Sequence, residues 1–134
     1  MDSATQVIAW RRELHKRAEV GFELPRTVAY LREALTDLGL ELSGDIGGGF
    51  VATLTNGDGP TIGIRADMDG LPIRESTGKQ WTSEQPQSMH ACGHDGHMAM
   101  ALGAAAALTN SREFSGTIHF VFQPAEEPGH GAQS

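Results

Sequence analysis

The sequence predicts an α/β fold, and three observations predict it. Residues 50–55 and 61–66 read as strands, and a third strand follows at 116–123. Apolar residues at helical spacing precede the first strand and return between the second and third. The stretch separating 61–66 from 117–123 is long enough for a crossover helix at 95–109. Those three segments therefore form a strand–crossover–strand unit, right-handed if its strands are parallel.

The elements follow in order. Val7, Trp10 and Leu14 share one helix face, with Arg11, Arg12, Glu13 and Lys16 on the wet side. Ser3 or Thr5 stands where a helix cap is needed. After the connector Glu19–Phe22, Pro25 opens a second helix in the favoured first turn. Its stripe is Val28, Leu31, Leu35 and Leu38, and Gly39 stops it. Both helices read as cover for a sheet, without a pattern that carries chemistry. Residues 43–49 are a flexible turn that lacks the Lys-Ser/Thr ending of a phosphate loop. Asn56-Gly57-Asp58-Gly59-Pro60 is a hairpin signal, so strands 50–55 and 61–66 are expected to be antiparallel neighbours. From Asp67 to Cys92 there is no periodicity; such a stretch is functional or mobile, and Trp81 is expected to pin it. Met98 to Leu108 is an alanine-rich buried helix that Asn110-Ser111 ends. In 116–123, Ile118, Phe120 and Phe122 alternate with Thr117, His119 and Val121, which predicts a central strand covered on both faces. His119 reads as a satisfied core histidine rather than a ligand.

Composition narrows the function. With 134 residues the chain fits one domain, near the low end for a complete enzyme. A net charge of -7 argues against nucleic acid or an anionic membrane as partner. One cysteine forbids an internal disulfide framework and fits a reducing compartment. The N-terminus does not read as a secretory signal, and no apolar run approaches the roughly 20 residues of a membrane helix. A cytoplasmic protein is the expectation.

Chemistry concentrates in Met89–His97, which holds the only cysteine and three of the six histidines, directly ahead of the alanine-rich helix. Cysteine and imidazole together suit zinc, with manganese, cobalt or nickel also fitting. The alternative is a plain buried cysteine beside solvated histidines. Parallel strands would bring three clusters to one sheet edge, where open α/β sheets bind ligands. Asp67 and Asp69 follow the first strand, Cys92, His94 and His97 precede the helix, and Glu126 and Glu127 follow the last strand. Like charges so close are unfavourable, and a divalent cation removes the conflict. Each cluster also has a bland reading: Asp67 and Asp69 as turn residues, Glu126-Glu127 as a solvated pair. If one glutamate ligates a metal, its neighbour is free as a general base. His97, one helical turn past His94, either orients a ligand or faces substrate; His90 and His130 have weaker cases.

With these residues in place the sequence resembles the amidohydrolase branch of the co-catalytic metallopeptidases, the aminoacylase, hippurate hydrolase and indole-3-acetyl-amino-acid hydrolase family. The matching segments are 11–15, 65–73, 89–97 and 122–127, in the family's order and spanning nearly the whole chain. The resemblance implies a three-layer α/β/α zinc-exopeptidase-like mixed sheet, incomplete because only its N-terminal portion is present. It implies Cys92, His94 and Glu127 as metal ligands, Glu126 as the general base and Asp69 as a supporting catalytic carboxylate. Asp67 and His97 then fall beside substrate or behind the ligands. One or two divalent ions (Zn, Mn, Co or Ni) are the expected cofactor, and a small N-acyl amino acid is the expected substrate, its amide cleaved by a metal-activated water. Ala18 stands where the family has Pro and Met98 where it has Thr; neither position is expected to touch metal.

Family members are much longer, and their lid or dimerisation domain and remaining histidine ligands have no counterpart here. Residues 1–134 are thus expected to be the N-terminal part of a metallohydrolase catalytic domain. The competing expectation is a non-catalytic metal-binding or interaction fragment that needs a complementary chain. Either way, homo-oligomerisation or association through exposed sheet edges is anticipated.

Overall fold

The computed structural model describes residues 2–133. Helices α1 (Ser3–Lys16) and α2 (Pro25–Asp37) come first, then strands β1 (Glu41–Leu42), β2 (Phe50–Asn56) and β3 (Thr61–Asp67). Helix α3 (His94–Ser111) and strand β4 (Gly116–Gln123) follow, and a short 3-10 turn spans Gly131–Gln133. The architecture is a mixed α/β sheet of order β1-β2-β4-β3, with β4 antiparallel to β2 and parallel to β3.

That order corrects the expected hairpin. β2 and β3 run in opposite directions but are not neighbours, because β4 lies between them and bonds to both. The link 57–60 spans the width of a strand instead of turning tightly. Thr117 donates its amide to the Pro60 carbonyl at 3.0 Å. A side chain at Gly59 would collide with the Ser115 carbonyl, 2.5 Å from its Cβ position, so the glycine serves close approach rather than a two-residue turn. The Asn56 amide donates to the carbonyls of Arg112 and Phe114 and seats the α3–β4 link beside it.

The helical layer packs on one face of the sheet. Ala52, Leu54, Ile118, Phe120 and Phe122 meet Leu14, Leu31, Leu35, Met98 and Leu102, all buried. Phe50 and Phe122 stack with ring centroids 4.9 Å apart. Pro25 opens α2 as expected, and Gly39, at φ +92°, ends it. The cap of α1 is neither Ser3 nor Thr5: Asp2 accepts the Thr5 amide at 2.8 Å. β4 is central in its hydrogen bonding, yet among the described residues only one face is covered, which corrects the expectation of cover on both. Val121 is 38% exposed on the other face, where His119 bonds Thr53 at 2.8 Å. The alternation of β4 predicts which side chains share a face, but not which face finds a partner.

Segment 68–93 has little regular structure but is tied down at several points. Gly70 donates to the Glu19 carbonyl, Leu71 and Met89 exchange amide bonds, and Glu84 donates to the Lys16 carbonyl. The Arg12 guanidinium stacks 3.9 Å from the Trp81 ring centroid. No helix among the described residues is long and apolar enough to cross a membrane.

Candidate metal centre

Because β3 and β4 are parallel, Asp67 and Gln123 lie side by side where both strands end. α3 runs back across the sheet, which returns His94 to the same edge. Asp69, fully buried, joins the pieces. Its carboxylate accepts the amides of Glu126 at 3.1 Å and Glu127 at 3.0 Å. Its carbonyl oxygen accepts from His94 Nδ1 at 2.7 Å, so His94 turns Nε2 into the site. The preceding residue of the glutamate turn, Ala125, is buried with φ +50°, a conformation that L residues adopt at a cost.

Around His94 Nε2 the acids converge. Asp67 Oδ2 is 3.3 Å away, Glu127 Oε1 3.6 Å and Glu126 Oε1 3.7 Å. His94 with Glu126 and Glu127, and His94 with Asp67 and His97, form two sets whose donor atoms all lie within 4.8 Å of one another. Cys92 is exposed and belongs to neither set; it joins through Glu127, whose hydrogen bond, with a little burial and the nearby acids, raises the thiol pKa. His97, half exposed, bonds Asp67 Oδ1 at 2.6 Å, and its ring lies 5.5 Å from that of His94. Asp67, Asp69, His94, His97, Glu126 and Glu127 thus meet at this edge, with Cys92 against Glu127 outside both donor sets, whereas His90 does not join them. The half-exposed Arg65 guanidinium lies 3.5 Å from Asp67. The donor set is rich in carboxylates, with hard oxygens and a borderline nitrogen, and it fits a divalent cation.

A second polar cluster lies behind the first turn of α3. Asp95, 1% exposed, bonds the Arg11 guanidinium at 2.8 Å and His15 Nδ1 at 2.7 Å, while His15 Nε2 meets Glu75 at 3.0 Å. The Asp95 hydrogen bond raises the His15 pKa. Burial works to raise the Asp95 carboxyl, but its partners hold it below the ordinary value. His90, 6.3 Å from the His15 ring, is buried with neither ring nitrogen bonded, and burial lowers its pKa to about 4. Nothing in α1 read alone pointed to this cluster. The available signal was Arg11 and His15 four apart, one helical turn on one face, flanking buried Leu14.

The sheet order and this donor set define a class: α/β domains that gather metal-ligating side chains at the C-terminal edge of a mixed sheet. Residues 63–134 match the model of peptidase family M20/M25/M40, and the chain belongs to that family. It is 45% identical over 126 residues to an N-acyl-L-amino acid amidohydrolase of Geobacillus stearothermophilus, covering 92% of this chain and 34% of that protein. An IAA-amino acid hydrolase ILR1-like 5 of Arabidopsis thaliana is 39% identical, over 95% of this chain and 30% of its own length. Among solved structures, the Bacillus subtilis YXEP protein, described as a dinuclear metal binding peptidase of the M20 family, superposes with a TM-score of 0.91 at 40% identity. That likeness covers 98% of this chain and 38% of the other. The chain spans about a third of the length of the curated relatives it matches.

Proposed function

We propose that these residues are the N-terminal part of the catalytic domain of a metal-dependent amidohydrolase, which releases an amino acid from an N-acyl conjugate. The observation that carries this reading is the meeting of three carboxylates around one buried imidazole nitrogen, at 3.3, 3.6 and 3.7 Å.

Cys92, His94 and Glu127 are the ligands in this reading, and zinc is the ion that best matches sulfur and nitrogen together, with manganese, cobalt or nickel as substitutes. When bound, a divalent cation supplies Lewis acidity to the scissile carbonyl and acidity to a water. His94 serves through Nε2, since Nδ1 is spent on the Asp69 carbonyl. Glu126, its side chain 38% exposed, is the general base that solvent reaches. It takes a proton from the attacking water and delivers it to the departing nitrogen as the C–N bond breaks. Asp69 fixes both glutamates through their amides. Asp67 orients His97, which offers its other ring nitrogen to substrate.

Glu126→Gln in the longest natural form of the protein is the test. Turnover of N-acetyl and N-benzoyl amino acids should fall by about 10²–10⁴-fold, with metal content unchanged. Undiminished turnover removes Glu126 from its role.

A further inference from the structure

No member of the buried cluster behind α3 lies on a strand. Its central carboxylate, Asp95, directly follows His94 in the chain. Asp95 Oδ1 accepts the Gly96 amide at 2.9 Å, within the first turn of α3, while Oδ2 takes both cationic partners from α1. Gly93, the residue before the helix, is in the left-handed region at φ +98° and brings no side-chain cap. The turn carrying His94, with Cys92 just before it, therefore has no cap of its own and is fastened from α1. His15 also grips the long segment 68–93: Glu75, its second partner, accepts the Ser83 amide at 2.8 Å. One imidazole thus anchors the two pieces of chain that flank the Cys92–His94 turn.

We propose that Arg11 and His15 are positioning residues for the metal centre, acting through Asp95 on the His94 turn and through Glu75 on the segment leading to Cys92. This rests on the metal reading above, but its first consequence does not. Arg11 and His15 reach no atom of the ligand set directly, and their bonds end on Asp95 and Glu75. Loss of His15 leaves two carboxylates, Asp95 buried and Glu75 nearly so, without that cation, which loosens the turn locally rather than unfolding the sheet.

The experiment uses the longest natural form with His15→Gln, with Arg11→Gln as the milder variant in case the first does not fold. Leu54→Ala in β2 is the control that destabilises without touching the cluster. Hydrogen exchange is measured on the metal-free protein. Exchange at Gly96 and His97, whose amides bond the Gly93 carbonyl, should quicken about tenfold in His15→Gln while the last turn of α3 is unchanged. Cobalt affinity, read by chelator competition, should fall about 10–100-fold, and kcat should fall with KM little changed. Adding Glu75→Gln, which removes one of the two stranded acids, should recover part of the affinity. Leu54→Ala should retain parental cobalt affinity. Unchanged or uniformly quickened exchange along α3 overturns the proposal, as does an equal loss of cobalt affinity in Leu54→Ala. A parent protein that binds no cobalt overturns the metal reading instead, and the exchange arm still decides the positioning role.

Discussion

Two acidic clusters meet at the first turn of α3, and neighbouring residues divide them: His94 faces one and Asp95 the other. Behind the turn, Asp95 and Glu75 are matched by Arg11 and His15, each bond between 2.7 and 3.0 Å. In front, Asp67, Asp69, Glu126 and Glu127 surround His94, with half-exposed His97 on Asp67 and, among the described residues, the half-exposed Arg65 guanidinium at their margin. The rear cluster neutralises itself. The front one does not, and its carboxylates are held together by covalent turns and by amide bonds to Asp69. Acids outnumber cationic partners in front, and that imbalance is what the proposed divalent cation would offset.

The largest expected effect separates the clusters by removing one acid from the balanced one. Asp95→Asn leaves buried His15 with Glu75 alone and the part-exposed Arg11 guanidinium without its acid, and should cost about 3 kcal/mol of stability by urea denaturation. A loss below about 1 kcal/mol would mean the rear cluster is slack. Next comes the external cation. Zinc or manganese at a hundred times its Kd should stabilise the folded protein by about 2.7 kcal/mol, and Glu127→Gln should abolish that gain while leaving metal-free stability nearly unchanged. A metal-free loss as large as that of Asp95→Asn would show that the front cluster is balanced after all.

The smallest effect is in pH. His15 is raised above its ordinary 6.5, so its contribution is complete below that value and is lost as pH rises through the folded pKa. Asp95 and Glu75 are lowered from 3.8 and 4.5, so theirs is present above those values and lost as pH falls through the folded ones. The ion pairs of Arg11, His15, Asp95 and Glu75 therefore support the fold best between 4.5 and 6.5, whereas buried His90, lowered to about 4, opposes them there: its contribution is complete above 6.5 and is lost as pH falls toward 4. Urea midpoints should decline on the alkaline side in the parent and be flatter there in His15→Gln; parallel profiles would deny His15 its charge.

Much of this was legible in the sequence because it is local. The stripe of α2, with its Pro25 start and Gly39 stop, is written in spacing of three and four, and α3 in an alanine-rich apolar run. The front cluster was legible through topology: once 61–66 and 117–123 are parallel, one rule of connection sends Asp67, His94 and Glu127 to one edge. The hairpin failed because Asn56-Gly57-Asp58-Gly59-Pro60 signals a reversal of direction, which occurs, but not adjacency, which β4 pre-empts. The uncovered face of β4 failed for a similar reason, since alternation carries no record of what covers a face. Arg11, His15 and Asp95 fall in the segments 11–15 and 89–97 that carry the resemblance, but their pairing was not legible because His15 and Asp95 are 80 residues apart and neither has a local pattern that names the other.

The most direct test of the central claim is X-ray absorption at the zinc edge of the metal-loaded, longest form of the protein, parent against Cys92→Ser. A sulfur scatterer at about 2.3 Å together with nitrogen or oxygen at about 2.0–2.2 Å, the sulfur vanishing in the variant, is the expected result. Zinc surrounded by nitrogen and oxygen alone in both proteins would contradict a shared site of Cys92, His94 and Glu127.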